Sequence, residues 1–342
     1  MRQVTQSRYG KPEVLEIRDV PRPTPREHEV LVRVEAFSVT LADCAFRKAD
    51  PFMVRLFSGL VWPKNLVLGD DIGGVVEAVG AKVRRFAVGD AVFGSVGSGL
   101  GGAADYVCLA EDQAIVRRPD GLDAGQGAGL SYGFLTAMPF IRDEAEVKRG
   151  DRVLVNGAAS SIGVVAVQLA RYFGAEVTAV CSARHTDLMR SLGADRVIDR
   201  TGTDFTVARD AYDVIFDAVG KSSFGRCKAA LRPGGRYLTT VPSLAIVWHM
   251  LTKRKPGKTG RLATTGLRPV AAKLKDMDVL VGLVETGAVR AVTDRRFPLA
   301  DVAEAHRYVE AGRKAGDVVV EMIDADQAVK RSETLVPPPA LP

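Results

Sequence analysis

Hydrophobic positions change their spacing twice along the chain. Up to about residue 120 they come in short alternating bursts at Val30–Ala36, Gly73–Val79, Ala91–Gly94 and Ala104–Leu109. Alternation of period two makes half-buried strands, and the intervening glycine and proline turns predict a small open barrel. From about Arg152 to Thr240, continuous apolar runs alternate with helical spacing, the pattern of a parallel, doubly wound sheet. Val153–Asn156 reads as a buried strand. Next, Ile162, Val165, Ala166, Leu169, Ala170 and Phe173 share one helical face, and Gly174 ends the helix as a left-handed cap. Glu176–Cys181, Arg196–Asp199 and Val214–Asp217 read as strands, and Thr186–Leu192 as a short helix closed by Gly193. Pro233-Gly234-Gly235 turns into a strand at Arg236–Thr240. Beyond about Val292 a helix, Asp301–Ala311, and a strand, Asp317–Ile323, return to the first style. The pattern therefore predicts an α/β chain: a doubly wound parallel-sheet domain over 121–291, beside a β domain built from 1–120 and completed by 292–324. Residues 325–342, ending VPPPALP, are expected to be a mobile tail.

The join between the first strand of the parallel sheet and its helix carries the first candidate chemistry. Gly157-Ala158-Ala159-Ser160-Ser161-Ile162-Gly163 is a turn of small residues, through which a backbone can approach a pyrophosphate at a helix N-terminus. Of the G-x-G-x-x-G spacing only Gly163 is kept, with Ala158 and Ser160 at the other two positions. The strand before and the amphipathic helix after make the turn informative.

The end of the second strand bears on the choice of cofactor. A carboxylate there would accept from ribose hydroxyls and repel a 2′-phosphate. The chain instead reads Cys181-Ser182-Ala183-Arg184-His185, with no acid before Asp187. Ser182 can donate to a phosphate and Arg184 can pair with it, each such charge-assisted bond contributing about 1.5–3 kcal/mol. The expectation is NADPH. The plainer alternative makes Ser182 a cap for the next helix and Arg184 a solvated side chain.

Composition narrows the setting. At 342 residues, 46% hydrophobic and 26% charged, the chain suits a soluble protein of two domains. It opens without a secretory pattern, and its apolar run Leu244–Trp248 is too short to span a bilayer. Cys44, Cys108, Cys181 and Cys227 are scattered, as reduced thiols would be. A cytoplasmic protein is expected. The net charge of +6 comes largely from Lys253, Arg254, Lys255, Lys258 and Arg261. Without interleaved aromatic residues this run does not suggest nucleic acid. It is either a solvated loop or a lid over an anionic ligand.

The strings NGAASSIGVVAVQLARYFGAEVTAV, SLGADRVID, YDVIFDAVG and LRPGGRYLTTVP resemble the zinc-independent medium-chain dehydrogenases/reductases, in their quinone oxidoreductase-like branch. The resemblance runs from about Met1 to Ile323. It implies a Rossmann domain inserted beside a chaperonin-10-like β domain, a cleft between them and a homodimer. It also implies that Ala159, Ser160, Ser161, Ile162 and Gly163 meet the pyrophosphate, and that Asp217 and Val219 line the ribose side. Val241 and Pro242 would lie by the nicotinamide, with Thr136 contacting that end. The alternative for Thr136 is a hydroxyl bonded to its own helix.

Zinc-containing relatives carry a cysteine where Thr40 stands, and a Gly-His-Glu motif where this chain reads Gly69-Asp70-Asp71. Their four-cysteine lobe is missing between Gly94 and Gly121. With the expected nitrogen and sulfur ligands gone, no metal is expected. The resemblance then implies hydride transfer to a substrate that is already electrophilic, a quinone or an α,β-unsaturated carbonyl. Tyr132, Thr40 and Asp43 are the catalytic candidates, Tyr132 as an acid toward a developing oxyanion or as a buried tyrosine with a structural partner. Asp43 and Arg47 keep a D-x-x-x-R spacing that suggests a mutual ion pair. An enoyl-thioester reductase, and a cofactor-binding regulatory protein with little turnover, are the competing readings.

Overall fold

A computed structural model describes all residues except 51, 53, 65–66, 98–100, 253–256, 264 and 323–342, so the expected tail lies outside the described residues. The first third holds β1 (Arg2–Gln6), β2 (Leu15–Asp19), β3 (Glu29–Val39), α1 (Leu41–Lys48), α2 (Val54–Ser58), β4 (Asp71–Val79), β5 (Ala91–Ser95), β6 (Tyr106–Ala110) and β7 (Ile115–Arg117). The middle runs α3 (Ala124–Met138), β8 (Arg152–Asn156), α4 (Ser161–Tyr172), β9 (Glu176–Cys181), α5 (Thr186–Ser191), β10 (Arg196–Asp199) and β11 (Tyr212–Asp217). It continues through α6 (Phe224–Cys227), β12 (Leu231–Thr239), α7 (Leu244–Thr252), β13 (Thr259–Leu262) and α8 (Val270–Glu285). The chain returns with β14 (Thr293–Pro298), α9 (Val302–Glu310) and β15 (Asp317–Glu321).

Two large sheets result. β14-β15-β3-β4-β5-β7, with β6 also on β3, form a mostly antiparallel sheet that combines both ends of the chain. The second sheet, β10-β9-β8-β11-β12-β13, is wholly parallel, and its order reverses beside β8, where doubly wound sheets bind ligands. The expected turn Pro233–Gly235 is realised as a bulge. Between the pairs Tyr212–Leu231 and Val214–Arg236 the register jumps, because Gly234 takes φ +79°.

Helix α3 joins the two halves. Asp123 and Gln126 form a capping box at its start. Its sequence lies in the segment expected to belong to the parallel-sheet domain, yet α3 packs across β3, β4, β5 and β15 while also meeting α4. Glycine permits that approach: a Cβ on Gly129 would sit 2.6 Å from Cβ of Asp317.

Candidate functional site

A cleft of about 1020 Å³ runs along the carboxyl ends of β8, β9 and β11. At its floor Ser160 caps α4, its hydroxyl accepting from Gly163 N at 3.0 Å. Gly163 must be glycine, since a Cβ there would lie 2.3 Å from the Gly157 carbonyl oxygen. The turn therefore folds tightly onto the helix, with the first amides of α4 turned to the cleft end. Ala159 and Ser160 line the cleft, whereas Ser161, Ile162 and Gly163 are buried behind them. Ser161 faces the returning C-terminal segment: its hydroxyl donates to Gly316 O at 3.1 Å and accepts from Lys314 Nζ at 2.6 Å. Burial pushes the Lys314 ammonium below its ordinary range, although Asp317 opposes the shift. Lys314 also lines the cleft, a basic group by the phosphate turn that local sequence spacing does not reveal.

Ser182 and Arg184 line the outer end of the same cleft, with Arg200 beside them. Arg200 Nε donates to Ser182 Oγ at 3.1 Å, and Arg184 Nε donates to His185 Nε2 at 3.0 Å. Burial, then the Arg184 charge, lowers the His185 pKa, favouring the neutral acceptor. Among the described residues neither guanidinium is within salt-bridge distance of a carboxylate. Asp187, the first acid in sequence, faces outward toward Arg190. Arg200 escaped the sequence reading, which stopped at the strand ending in Asp199. Because β9 and β10 are parallel neighbours, the residue after β10 must emerge beside the end of β9, and that was the available signal.

Asp217 sits differently from its expected place. Its carboxylate is fully buried, accepting from Asn156 Nδ2 at 3.0 Å, Ser222 N at 2.7 Å and the Tyr237 hydroxyl at 3.0 Å. It shapes the loop from within, while Val219 lines the cleft. Val241 and Pro242 are exposed beyond β12, and Thr136 is half-buried on α3; none of the three lines this cleft.

A separate acidic group lies beneath α3, outside the residues that line the cleft. Thr40 and Asp43 form a capping box for α1: Asp43 Oδ2 accepts from Thr40 N at 2.8 Å and from Thr40 Oγ1 at 2.6 Å. Asp43 Oδ1 accepts from Gly69 N at 3.2 Å. The expected Asp43–Arg47 pair does not form. Fully buried Arg47 turns the other way, to Glu310, the Gly10 carbonyl and His306. A charge at that depth needs a partner, and the cap has already used Asp43. Asp70 accepts from Ser95 Oγ at 2.7 Å and Gly97 N at 2.9 Å. Burial pushes Asp43 and Asp317 up to about 6 and raises Asp70 and Asp71 as well. Tyr132 overlooks this group. Its phenol is pushed upward by burial and then by Asp43, Asp71, Asp70 and Asp317, and no described group bonds its hydroxyl.

Among the described residues, no three His, Cys, Asp or Glu side chains cluster in a way that could hold a metal ion. No described helix is long and apolar enough to cross a membrane. Of the basic run, Lys253, Arg254 and Lys255 lie outside the described residues. Lys258 pairs with Asp210 at 2.8 Å and Arg261 with Glu144 at 3.2 Å, so both charges are committed within the chain.

Residues 26–120 match the model of the alcohol dehydrogenase GroES-like domain, and residues 192–320 that of a zinc-binding dehydrogenase. A quinone oxidoreductase of Pseudomonas aeruginosa is 32% identical over 91% of this chain and 97% of its own. The NADPH-dependent alkenal/one oxidoreductase of Arabidopsis thaliana chloroplasts is 30% identical over 92% of this chain and 78% of its own. The solved quinone oxidoreductase of Coxiella burnetii superposes with a TM-score of 0.80 at 27% identity, covering 94% of this chain and 99% of that one. The chain therefore belongs to the medium-chain dehydrogenases/reductases, in their quinone oxidoreductase-like branch, and is an oxidoreductase of the kind that works with a nicotinamide cofactor.

Proposed function

We propose that the protein is a zinc-independent NADPH-dependent reductase of quinones or α,β-unsaturated carbonyls. The observation that carries the cofactor choice is the pair Arg184 and Arg200, two guanidinium groups without carboxylate partners among the described residues, converging with Ser182 on one concave end. A 2′-phosphate supplies the charge they lack, whereas a ribose diol does not. The rest of the cleft fits the dinucleotide: Gly157 and Gly163 let the turn close, Ser160 caps the helix, and Val219 forms a wall. Thr136, Val241 and Pro242 are assigned to the nicotinamide side, and Asp217 acts on the ribose side by holding the Val219 loop.

The nicotinamide, when bound, supplies the hydride. The chain's residues position the acceptor and move the proton. Tyr132 is the side chain assigned to the charge that develops on the acceptor's oxygen, since its hydroxyl is uncommitted. Thr40 and Asp43 hold the α1 loop that forms one side of the site. Zinc independence follows from donor chemistry. Thr40 and Asp70, at positions where relatives carry ligands, offer no nitrogen or sulfur, and Thr40 Oγ1 and Asp70 Oδ1 are already engaged in internal hydrogen bonds.

The deciding experiment is a panel of quinones, enals, enones and enoyl thioesters, with oxidation of NADPH and of NADH as parallel readouts. Rapid NADPH oxidation by a quinone or enone, with NADH at least about tenfold less effective, is expected. Equal use of the two cofactors would sink the phosphate assignment, and stoichiometric zinc in the purified protein would sink the metal-free reading. A cytoplasmic homodimer is part of the proposal, testable by fractionation and by sedimentation.

A further inference from the structure

The face of the antiparallel sheet beneath α3 can be reconstructed from its register. Asp71 pairs with Ser95, Gly73 with Phe93, Ala36 with Gly73, and Val319 with Ser38. Paired residues share a face and alternate residues return to it. Ser38, one step beyond the Phe37–Ile72 pair, therefore lies opposite Asp71. Ser95, Asp71, Ser38 and Val319 thus form one row, with Phe93, Gly73, Ala36 and Glu321 in the next. α3 lies on this face: a Cβ on Gly73 would meet the Ala124 backbone, one on Gly127 would meet Phe93, and one on Gly125 would meet Val319. The helix climbs about 6 Å per four residues, close to the spacing of rows, so Ala128 stands over the Asp71 row. Side chains lean toward a helix's N-terminus, which brings Tyr132 back over the turn of Ala128. The short alanine leaves that space to the phenol.

Two atoms in the row have no hydrogen-bond partner among the described residues. Ser38 Oγ and Asp71 Oδ2 are both buried without a hydrogen bond, in residues only 2% and 1% exposed. The neighbouring carboxylates differ: Asp43 and Asp70 accept internal bonds, and Asp317 faces Ser161 and Lys314. No hydrogen bond of that kind stabilises charge on Asp71. An ionised carboxylate left bare at this depth is far costlier than a neutral acid that keeps its proton to give.

We propose that Asp71 is a proton store for the reduction, resupplying Tyr132 through Ser38. This rests on the reading of the cleft as a carbonyl-conjugated reductase. Once hydride has reached the acceptor carbon, the Tyr132 O–H bond breaks and a new O–H bond forms on the acceptor oxygen. Since Ser38 Oγ bonds neither Asp71 nor the phenol directly, Ser38 passes its proton to the phenolate and takes the proton of Asp71 across intervening internal water. The resulting Asp71 carboxylate regains its proton from solvent. The groups facing Asp71 set how readily it does so. Asp70 just before its strand, Asp43 on α1 and Asp317 on β15 oppose its ionisation, while Lys273 on α8 favours it. The Asp71 charge in turn acts on Tyr132 on α3.

The test compares the full chain with Asp71→Asn and Ser38→Ala. Difference infrared spectroscopy at neutral pH should show the carbonyl stretch of a protonated carboxylic acid in the wild type, lost in Asp71→Asn and kept in Ser38→Ala. With an enone and NADPH, both variants should lower kcat at least about tenfold and change its solvent deuterium isotope effect, leaving NADPH affinity in place. If the infrared band survives Asp71→Asn, or is missing from the wild type, the proposal is overturned. Should Asp71→Asn not fold, Ser38→Ala decides: wild-type kcat and isotope effect there overturn the relay. A wild-type protein inert toward every acceptor defeats the reductase reading, and the infrared result then decides Asp71 by itself.

Discussion

The mouth of the cleft and the acidic group beneath α3 treat charge in opposite ways. At the outer end Arg184 and Arg200 are partly exposed cations without carboxylates, held by a neighbouring carbonyl, hydroxyl and imidazole. Beneath α3 three buried aspartates gather with the half-buried Asp70, three of the four quieted by hydrogen bonds or a facing lysine and Asp71 left bare. An outer cation costs little because water solvates it until an anion arrives. An inner carboxylate has no such refuge, so it must be bonded or protonated. Under the proposed function this difference is a division of labour: binding charge kept ready at the mouth, and proton chemistry kept dry beneath α3.

The comparison breaks most visibly at the mouth. Arg184→Ala with Arg200→Ala should raise the NADPH dissociation constant at least about a hundredfold, from two charge-assisted contacts, and leave NADH nearly unchanged. Equal weakening of both cofactors by equilibrium titration would mean that these cations do not read the 2′-phosphate. Tyr132→Phe probes the acidic group. It should lower kcat by about a hundredfold with the NADPH constant preserved. Unchanged turnover would remove Tyr132 as the acid and leave the proton to water.

Protonation sharpens the contrast further. Burial, and next the Arg47 charge, push His306 down from 6.5 to about 3. A lowered histidine pKa contributes stability that is present above pH 6.5 and is lost as the pH falls toward 3. Thermal melts of wild type against His306→Gln should diverge on acidification, the wild type losing about 2 kcal/mol more between pH 6.5 and 5. Parallel curves would show that the histidine is not held neutral. The smallest effect is expected from packing. Gly129→Ala gains about 1 kcal/mol of helix propensity but drives a methyl against Asp317, for a net loss of about 1 kcal/mol in chemical denaturation. A stabilised variant would show that α3 can lift from β15 without cost.

Much of this molecule is legible in its residues, for a local reason. Strand and helix periods, the small-residue turn ending at Gly163 and the acid-free end of β9 are set by neighbours within a few positions. Chain order shows that a parallel sheet follows an antiparallel one and that the chain then returns. Arg200 was missed because it comes beside Ser182 only through pairing of β9 with β10, although the two are 18 positions apart. The Asp43–Arg47 pair was expected from spacing on one helix. Capping claimed the aspartate, and α9, more than 250 positions away, claimed the arginine.

By itself, then, the sequence determines that a tight turn of small residues joins a strand to a helix at Gly157–Gly163, and which charges are absent around it. Those properties follow from backbone geometry and from residue type. Tertiary structure alone decides which cations are left without acids, that α3 covers the other domain's sheet, and that Ser38, Asp71 and Ser95 fall into one buried row. Each of these depends on strand register and helix docking across distant segments, and burial there turns ordinary polar side chains into groups that must bond, stay neutral or pass a proton.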